Sequence, residues 1–225
     1  MVWAKNKSKK GKLVLILILA LAFVLRFYKL SSVPVSLFGD ELDVGYHGYS
    51  ILKTAKDYNG NFMPLHFQSL AEYRTPLYLY SVVPTILIWG ISPLGVRVPA
   101  AFFGVLSVLA IYLLVREIIV FYGKKSKFFK GYFLPLMSAL VLAVSPWHIQ
   151  YSRAAFEVTM LLAFLLFGLY FLFKSFNDGK LLWISVMLLV LTPLIYSTAK
   201  LFTPLLFMFL VIVFRKEILS IKKSI

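Results

Sequence analysis

Five charge-free apolar runs, separated by short clusters of lysine and arginine, set the terms on which this chain folds. They cover residues 98–115, 131–152, 158–173, 181–199 and 201–214. At about 1.5 Å of helix rise per residue, about 20 residues reach across a hydrocarbon layer of about 30 Å, so each run is a candidate membrane-crossing helix. The composition points the same way: 60% of the 225 residues are hydrophobic, only 15% are charged, and the mean hydropathy is +0.85. A single soluble core of this length cannot absorb so much apolar surface. The formal charge of +15 does not indicate nucleic acid, because the basic residues fall between apolar runs and not along one polar face.

The amino terminus carries Lys5, Lys7, Lys9, Lys10 and Lys12 before the apolar run 13–25, a pattern shared with signal peptides. Arg26 and Lys29 follow at once, and no small-x-small cleavage site lies near Ser31 and Ser32, which favours an uncleaved first span with Arg26 snorkelling to the outer interface. A further run, 76–96, is uncharged but interrupted by Pro76, Pro84, Gly90, Pro93 and Gly95. Basic residues concentrate on the cytoplasmic side of membrane proteins. If 76–96 does not cross, sixteen of the 24 basic residues fall inside; if it crosses, sixteen fall outside. The expectation is therefore an all-α integral membrane protein of one domain, 1–225, with about six spans and both termini cytoplasmic. Residues 1–12 form a basic tail, and 31–96 is a long first outer loop.

Within that loop Leu42, Tyr46, Tyr49 and Leu52 recur at helical spacing, the pattern of a helix lying on the bilayer. Asp40, Glu41 and Asp43 stand at its start. Asp40 reads as an N-cap and its neighbours as complements of the helix dipole, which does not prevent a fixed carboxylate from accepting a proton. On the outer side Arg74, Arg97, Arg153 and Lys200 lie at the ends of apolar segments, where lipid phosphates are found. Lys200 is the sharpest of these, because the 34 residues 181–214 carry it as one charge over two crossings, about 51 Å of helix for about 60 Å of hydrocarbon. Tyr151, Ser152, Tyr196 and Ser197 add hydroxyl donors nearby. The chain has no cysteine, and its histidines, His47, His66 and His148, form no metal motif. No phosphate-binding glycine loop is present. The residues name no cofactor and leave a divalent cation open.

Four segments carry a resemblance: FGDELDVGYHGYSILKTAKDYNGNFMPL (38–65), YRTPLYLYSVVPTILIWGISPLGVRVPAAFFGVLSVLAIYLLVREI (73–118), SPWHIQYSRAAFE (145–157) and YSTAKLFTPLL (196–206). Together they resemble the amino-terminal half of the C-type membrane glycosyltransferases. The likeness is greatest to family 39, which holds the protein O-mannosyltransferases and the aminoarabinose transferase of lipid A. The resemblance implies a plasma-membrane enzyme that moves a sugar from a polyprenyl-phosphate donor to an extracytoplasmic acceptor hydroxyl with inversion. It makes Asp40 the catalytic base and Glu41 its partner, and gives the outer loop two juxtamembrane helices. Arg97, Arg153 and Lys200 match positions commonly basic in the family and would bind the lipid phosphate or sugar together with Arg74, Asp43 and Tyr46. Arg74 stands one place before Thr75, where relatives often have lysine. Relatives usually have eleven or more spans, so a truncated frame, an isolated fragment or a half completed by a second chain is implied. The alternatives from other classes are a transporter or flippase of lipid-linked sugars and a non-catalytic scaffold.

Overall fold

The computed structural model describes residues 2–69, 72–123 and 132–221, the first eight of these by backbone alone. The lysine cluster at 124–130 and Lys222 and Lys223, counted above as cytoplasmic, lie outside the described residues. Among the described residues, 77% are helical and two helices are long and apolar enough to cross a membrane, or three when one bent pair is taken as a single span. The two are α4 (Pro93–Gly123) and α7 (Val158–Ser175), and the bent pair is α5 (Phe133–Val144) with α6 (Pro146–Arg153), turned by 56°. The remaining helices are α1 (Val2–Phe27), α2 (Gly39–Thr54), α3 (Pro76–Trp89), α8 (Leu182–Leu191), α9 (Ala199–Val213) and α10 (Arg215–Ile221). Strands β1 (Phe67–Gln68) and β2 (Tyr73–Arg74) pair antiparallel between α2 and α3.

Helix α4 is the hub and packs against α1, α3, α5, α6 and α7. Its buried face carries Ala100, Ala101, Gly104, Ser107 and Ala110, small residues that let helix backbones approach where hydrophobic burial gives no drive between them. A methyl at Gly104 would collide with Ser152 and with the Arg26 side chain. Between α1 and α4, a Cβ at Gly48 would stand 2.7 Å from Val82 and Ile86, so glycine sets the spacing of α2 on α3.

Two expected spans are broken, each at a proline. A proline offers no N–H to the carbonyl four residues before it. Pro146 thereby frees the Leu142 carbonyl, and the expected span 131–152 bends there into α5 and α6. The run 181–199 likewise stops as a regular helix at Leu191 and continues as a 3-10 turn, Thr192–Leu194, containing Pro193. In α4, Pro99 frees the Gly95 carbonyl, which accepts the Thr85 hydroxyl at 2.5 Å. The uncharged run 76–96 divides into α3, a turn at Gly90 and the start of α4. At about 1.5 Å per residue, the 14 residues of α3 reach about 21 Å, short of the hydrocarbon thickness.

Arginines take the carbonyls released at the Pro146 break and several of those after α1. Arg26 does not snorkel outward: it is fully buried and donates to Ala22 and Ala143 carbonyls at 3.0 and 3.1 Å, to Leu142 at 3.3 Å, and lies 2.6 Å from His148 Nδ1. Arg153 reaches the carbonyls of Leu25, Tyr28 and Val33 at 2.8 to 2.9 Å, closing the carboxyl end of α1, whose last carbonyls lack helical partners. Arg97 donates to Leu30, Pro34 and Ser36 carbonyls. The segment between α1 and α2, with no regular structure of its own, is thus held by one arginine from α4 and one from α6.

Arg97 also forms a fully buried ion pair with Glu41, at 2.7 and 2.9 Å. Glu41→Gln strands a buried guanidinium without its counter-charge, so it is expected to cost about 3–5 kcal/mol. The check is a lowered thermal midpoint of the purified chain in detergent.

Candidate functional site

Asp40 and Glu41 are neighbours in sequence and part company in space. Phe38 is the N-cap of α2, so Asp40 is the second helical residue and not the cap expected from the sequence. Successive helical residues are rotated by about 100°, which sends Glu41 into the bundle and Asp40 outward. Both oxygens of Glu41 are taken, Oε1 by Arg97 and the Ala155 N–H, Oε2 by Arg97 and the Phe38 N–H. Asp40 is 54% exposed and meets Arg74 at 2.5 Å.

Arg74, 8% exposed at the end of β2, gathers four carboxylates: Asp40, Asp43 at 2.9 Å, Glu72 at 3.3 Å and Glu157 at 3.4 Å. The Asp43 contact lies off the Nε–H axis, an ion pair without a hydrogen bond. Burial would lower the guanidinium pKa, but Glu157, Asp40 and Asp43 outweigh it and raise it. Burial raises the Glu157 carboxyl above its ordinary range, against the lowering influence of its backbone and of Arg74.

These side chains open onto a cavity of about 280 Å³ walled by Asp40, Glu72, Tyr73, Arg74, Thr75, Phe156, Glu157 and the turn 196–198. Thr75 fixes that turn in place, since its hydroxyl donates to the Ile195 carbonyl at 2.7 Å. Segments from the α1–α4 connection, the α6–α7 junction and the α8–α9 junction therefore converge on one end of the bundle. A larger groove of about 510 Å³ between α4, α5 and α7 is lined by aliphatic residues with Ser138 and Ser145.

The structure brings some of the expected site residues together and not others. Asp40 and Arg74 face the cavity with Tyr196 and Ser197, and Asp43 stands behind Arg74. Glu41, Arg97 and Arg153 are not in the cavity wall; their polar atoms are committed to one another and to main-chain groups, which leaves Arg97 and Arg153 no guanidinium fork turned to a phosphate. Lys200 is exposed in the first turn of α9, two residues beyond the wall, and Tyr46 is 61% exposed on α2. The stripe of Leu42, Tyr46 and Tyr49 is exposed, while Val44, His47, Gly48 and Ile51 form the packed face. Glu157 and Glu72 escaped the sequence reading. Glu157 carried one signal, a carboxylate directly before an apolar run of 16 residues. Among the described residues no group of three or more His, Asp and Glu is placed to hold a metal.

Comparison of the chain with protein-family models, with curated proteins and with solved structures finds no match.

The raised Glu157 carboxyl has a signed consequence. A group whose folded-state pKa lies above its unfolded value contributes stability below the unfolded value and loses it as pH rises through the folded one. Glu157→Gln is expected to flatten the fall in thermal midpoint as pH rises above the ordinary carboxylate range. A pH series of melting curves on parent and variant checks it.

Proposed function

We propose that the chain is a membrane glycosyltransferase, or the catalytic half of one, that moves a sugar from a polyprenyl-phosphate donor to an extracytoplasmic hydroxyl. The observation that carries it is an exposed carboxylate, Asp40, standing on a buried arginine at the mouth of a polar cavity, at one end of an apolar helix bundle. A base in that place serves a donor whose tail stays in lipid while its head group reaches water. The resemblance of residues 38–65 and 145–157 to C-type transferases supports the same assignment.

In the proposed reaction the acceptor oxygen attacks the anomeric carbon from the face opposite the phosphate. Asp40 takes the hydroxyl proton as the new carbon–oxygen bond forms and the bond to the phosphate oxygen breaks, which inverts the configuration. Negative charge then grows on the departing lipid phosphate. Arg74 in the wall and Lys200 beside it are the cations within the site's reach, and donors fixed before the reaction stabilise such charge without reorganising. Arg97 and Arg153 act one step away by holding the segment that leads into α2.

The topology we propose has six crossings, both termini inside the cell and the cavity outside, in the plasma membrane. Its support is the convergence described above. The α1–α2 segment, both ends of the 76–96 run, the α6–α7 junction and the α8–α9 junction meet through Arg97, Arg153, Ala155 and Thr75, as they must if 76–96 stays on one side. The chain's lack of cysteine makes the test direct. A thiol placed at Lys56 is expected to react with an impermeant reagent in intact cells, and one at Lys180 only after permeabilisation. The opposite pattern overturns the topology.

Activity is tested by Asp40→Asn. Transfer from a radiolabelled polyprenyl-phosphate sugar in isolated membranes is expected to fall by at least about 100-fold, the scale of a lost general base, with insertion unchanged. Mass spectrometry of envelope glycans and glycoproteins with and without the gene selects the sugar to test. Full activity in the variant rules the assignment out.

A further inference from the structure

His47 lies outside the cavity wall, yet its surroundings connect it to the base. The ring is fully buried on the packed face of α2, stacked on Tyr58 with centroids 3.9 Å apart and edge-on to Phe67 at 4.9 Å. Neither ring nitrogen meets hydrogen-bond geometry with a described residue, although the Gln68 carbonyl lies near enough to favour a proton on the ring. A buried polar group left in that state costs stability, and in a native fold it calls for an explanation. Asp43, one turn earlier, faces it with Oδ1 at 3.7 Å from Nε2. That same oxygen accepts the Tyr58 hydroxyl at 2.9 Å, while Oδ2 lies 2.9 Å from Arg74 Nε. Arg74 in turn holds Asp40. The order His47, Asp43, Arg74, Asp40 is a chain of contacts from a titratable ring to the base, and each link alternates in charge once the ring is protonated.

We infer that His47 is a positioning residue, whose protonation state sets, through Asp43, how firmly Arg74 holds Asp40. The inference rests on Asp40 being the base of the proposed transfer. With His47 neutral, Asp43 faces Arg74 and the Tyr58 hydroxyl without competition. A proton on Nε2 gives Asp43 a second cation at its other oxygen and weakens its pull on Arg74. The guanidinium then turns more of its charge to Asp40, and a carboxylate held harder by a cation is a poorer base. Acid thus lowers activity twice, once at Asp40 itself and once through His47.

The groups facing the ring fix where this happens. Asp43 on α2 and Asp57 in the following loop favour the charged ring, as does the Gln68 carbonyl of β1; Arg74 of β2 opposes it, and burial opposes it most, so the ring stays neutral below the usual imidazole range. Asp57 itself is engaged by Asn59 and Asn61. Tyr58 stays protonated, its hydroxyl pushed up to about 12 first by burial and then by its bond to Asp43. From α3, Tyr80 stands edge-on to Phe67, and from α4, Arg97 is matched by Glu41.

Two measurements test the inference. In the full chain in nanodiscs, labelled histidine resonances are followed against pH, His66→Gln and His148→Gln identifying the His47 signal. Asp43→Asn is expected to lower the His47 midpoint by about one pH unit, and Arg74→Gln to raise it. Midpoints that move in neither variant overturn the coupling, whether or not the protein transfers sugar. In the transfer assay, the acid limb of kcat/KM is expected to report two protonations in the parent and one in His47→Gln and in His47→Phe, which refills the aromatic box. An unchanged limb in both variants overturns the positioning role. Absence of any transfer by the parent defeats the proposed function instead, and leaves the coupling to the resonance experiment.

Discussion

Three buried arginines hold this bundle together where its helices break. In an apolar surrounding, a carbonyl without a donor costs free energy that no water can return, so each interruption of a helix must find a partner inside the protein. Arg26, Arg97 and Arg153 supply many of those partners: carbonyls at the Pro146 break, at the end of α1 and along the segment up to α2 end on guanidinium groups. An arginine suits this work because its planar fork presents several donors at once and cannot be neutralised by losing a proton.

One of the three, Arg97, also needs a counter-ion, and Glu41 meets that need. The consequence is a division of labour within a dipeptide. Glu41 ties α2 to α4 and to the Ala155 backbone, and so fixes the helix from which Asp40 projects. Asp40 could not be both exposed and oriented without a neighbour anchored inside. The pair thus splits into one buried carboxylate and one exposed carboxylate held by Arg74.

Around Arg74 the balance is different. One cation serves four carboxylates, so the cavity carries a surplus of negative charge that burial and mutual repulsion resist. Glu157 shows the strain in its raised pKa, and Asp43 shows it in a contact with Arg74 that is close but misaligned. A site balanced in this way responds to small changes of charge at its edge, and His47 stands at that edge.

Hydropathy and the placement of proline and glycine determined, from the sequence alone, that the chain is helical and apolar and that 76–96 is not one regular span, while Asp40 and Arg74 stood out only as members of a carboxylate cluster and of a set of four cations. Those properties are local: a run of apolar residues or a missing N–H acts wherever it stands. Only the tertiary structure decided which charges are free. Arg97 and Arg153 read in sequence like Arg74, at the ends of apolar segments, yet their donors are taken by groups as many as 128 residues away. Glu157 likewise became a site residue because the start of α7 packs beside β2. The fate of a charge near a membrane depends on the carbonyls and counter-ions the fold brings within about 3 Å of it, and a one-dimensional pattern does not hold that information.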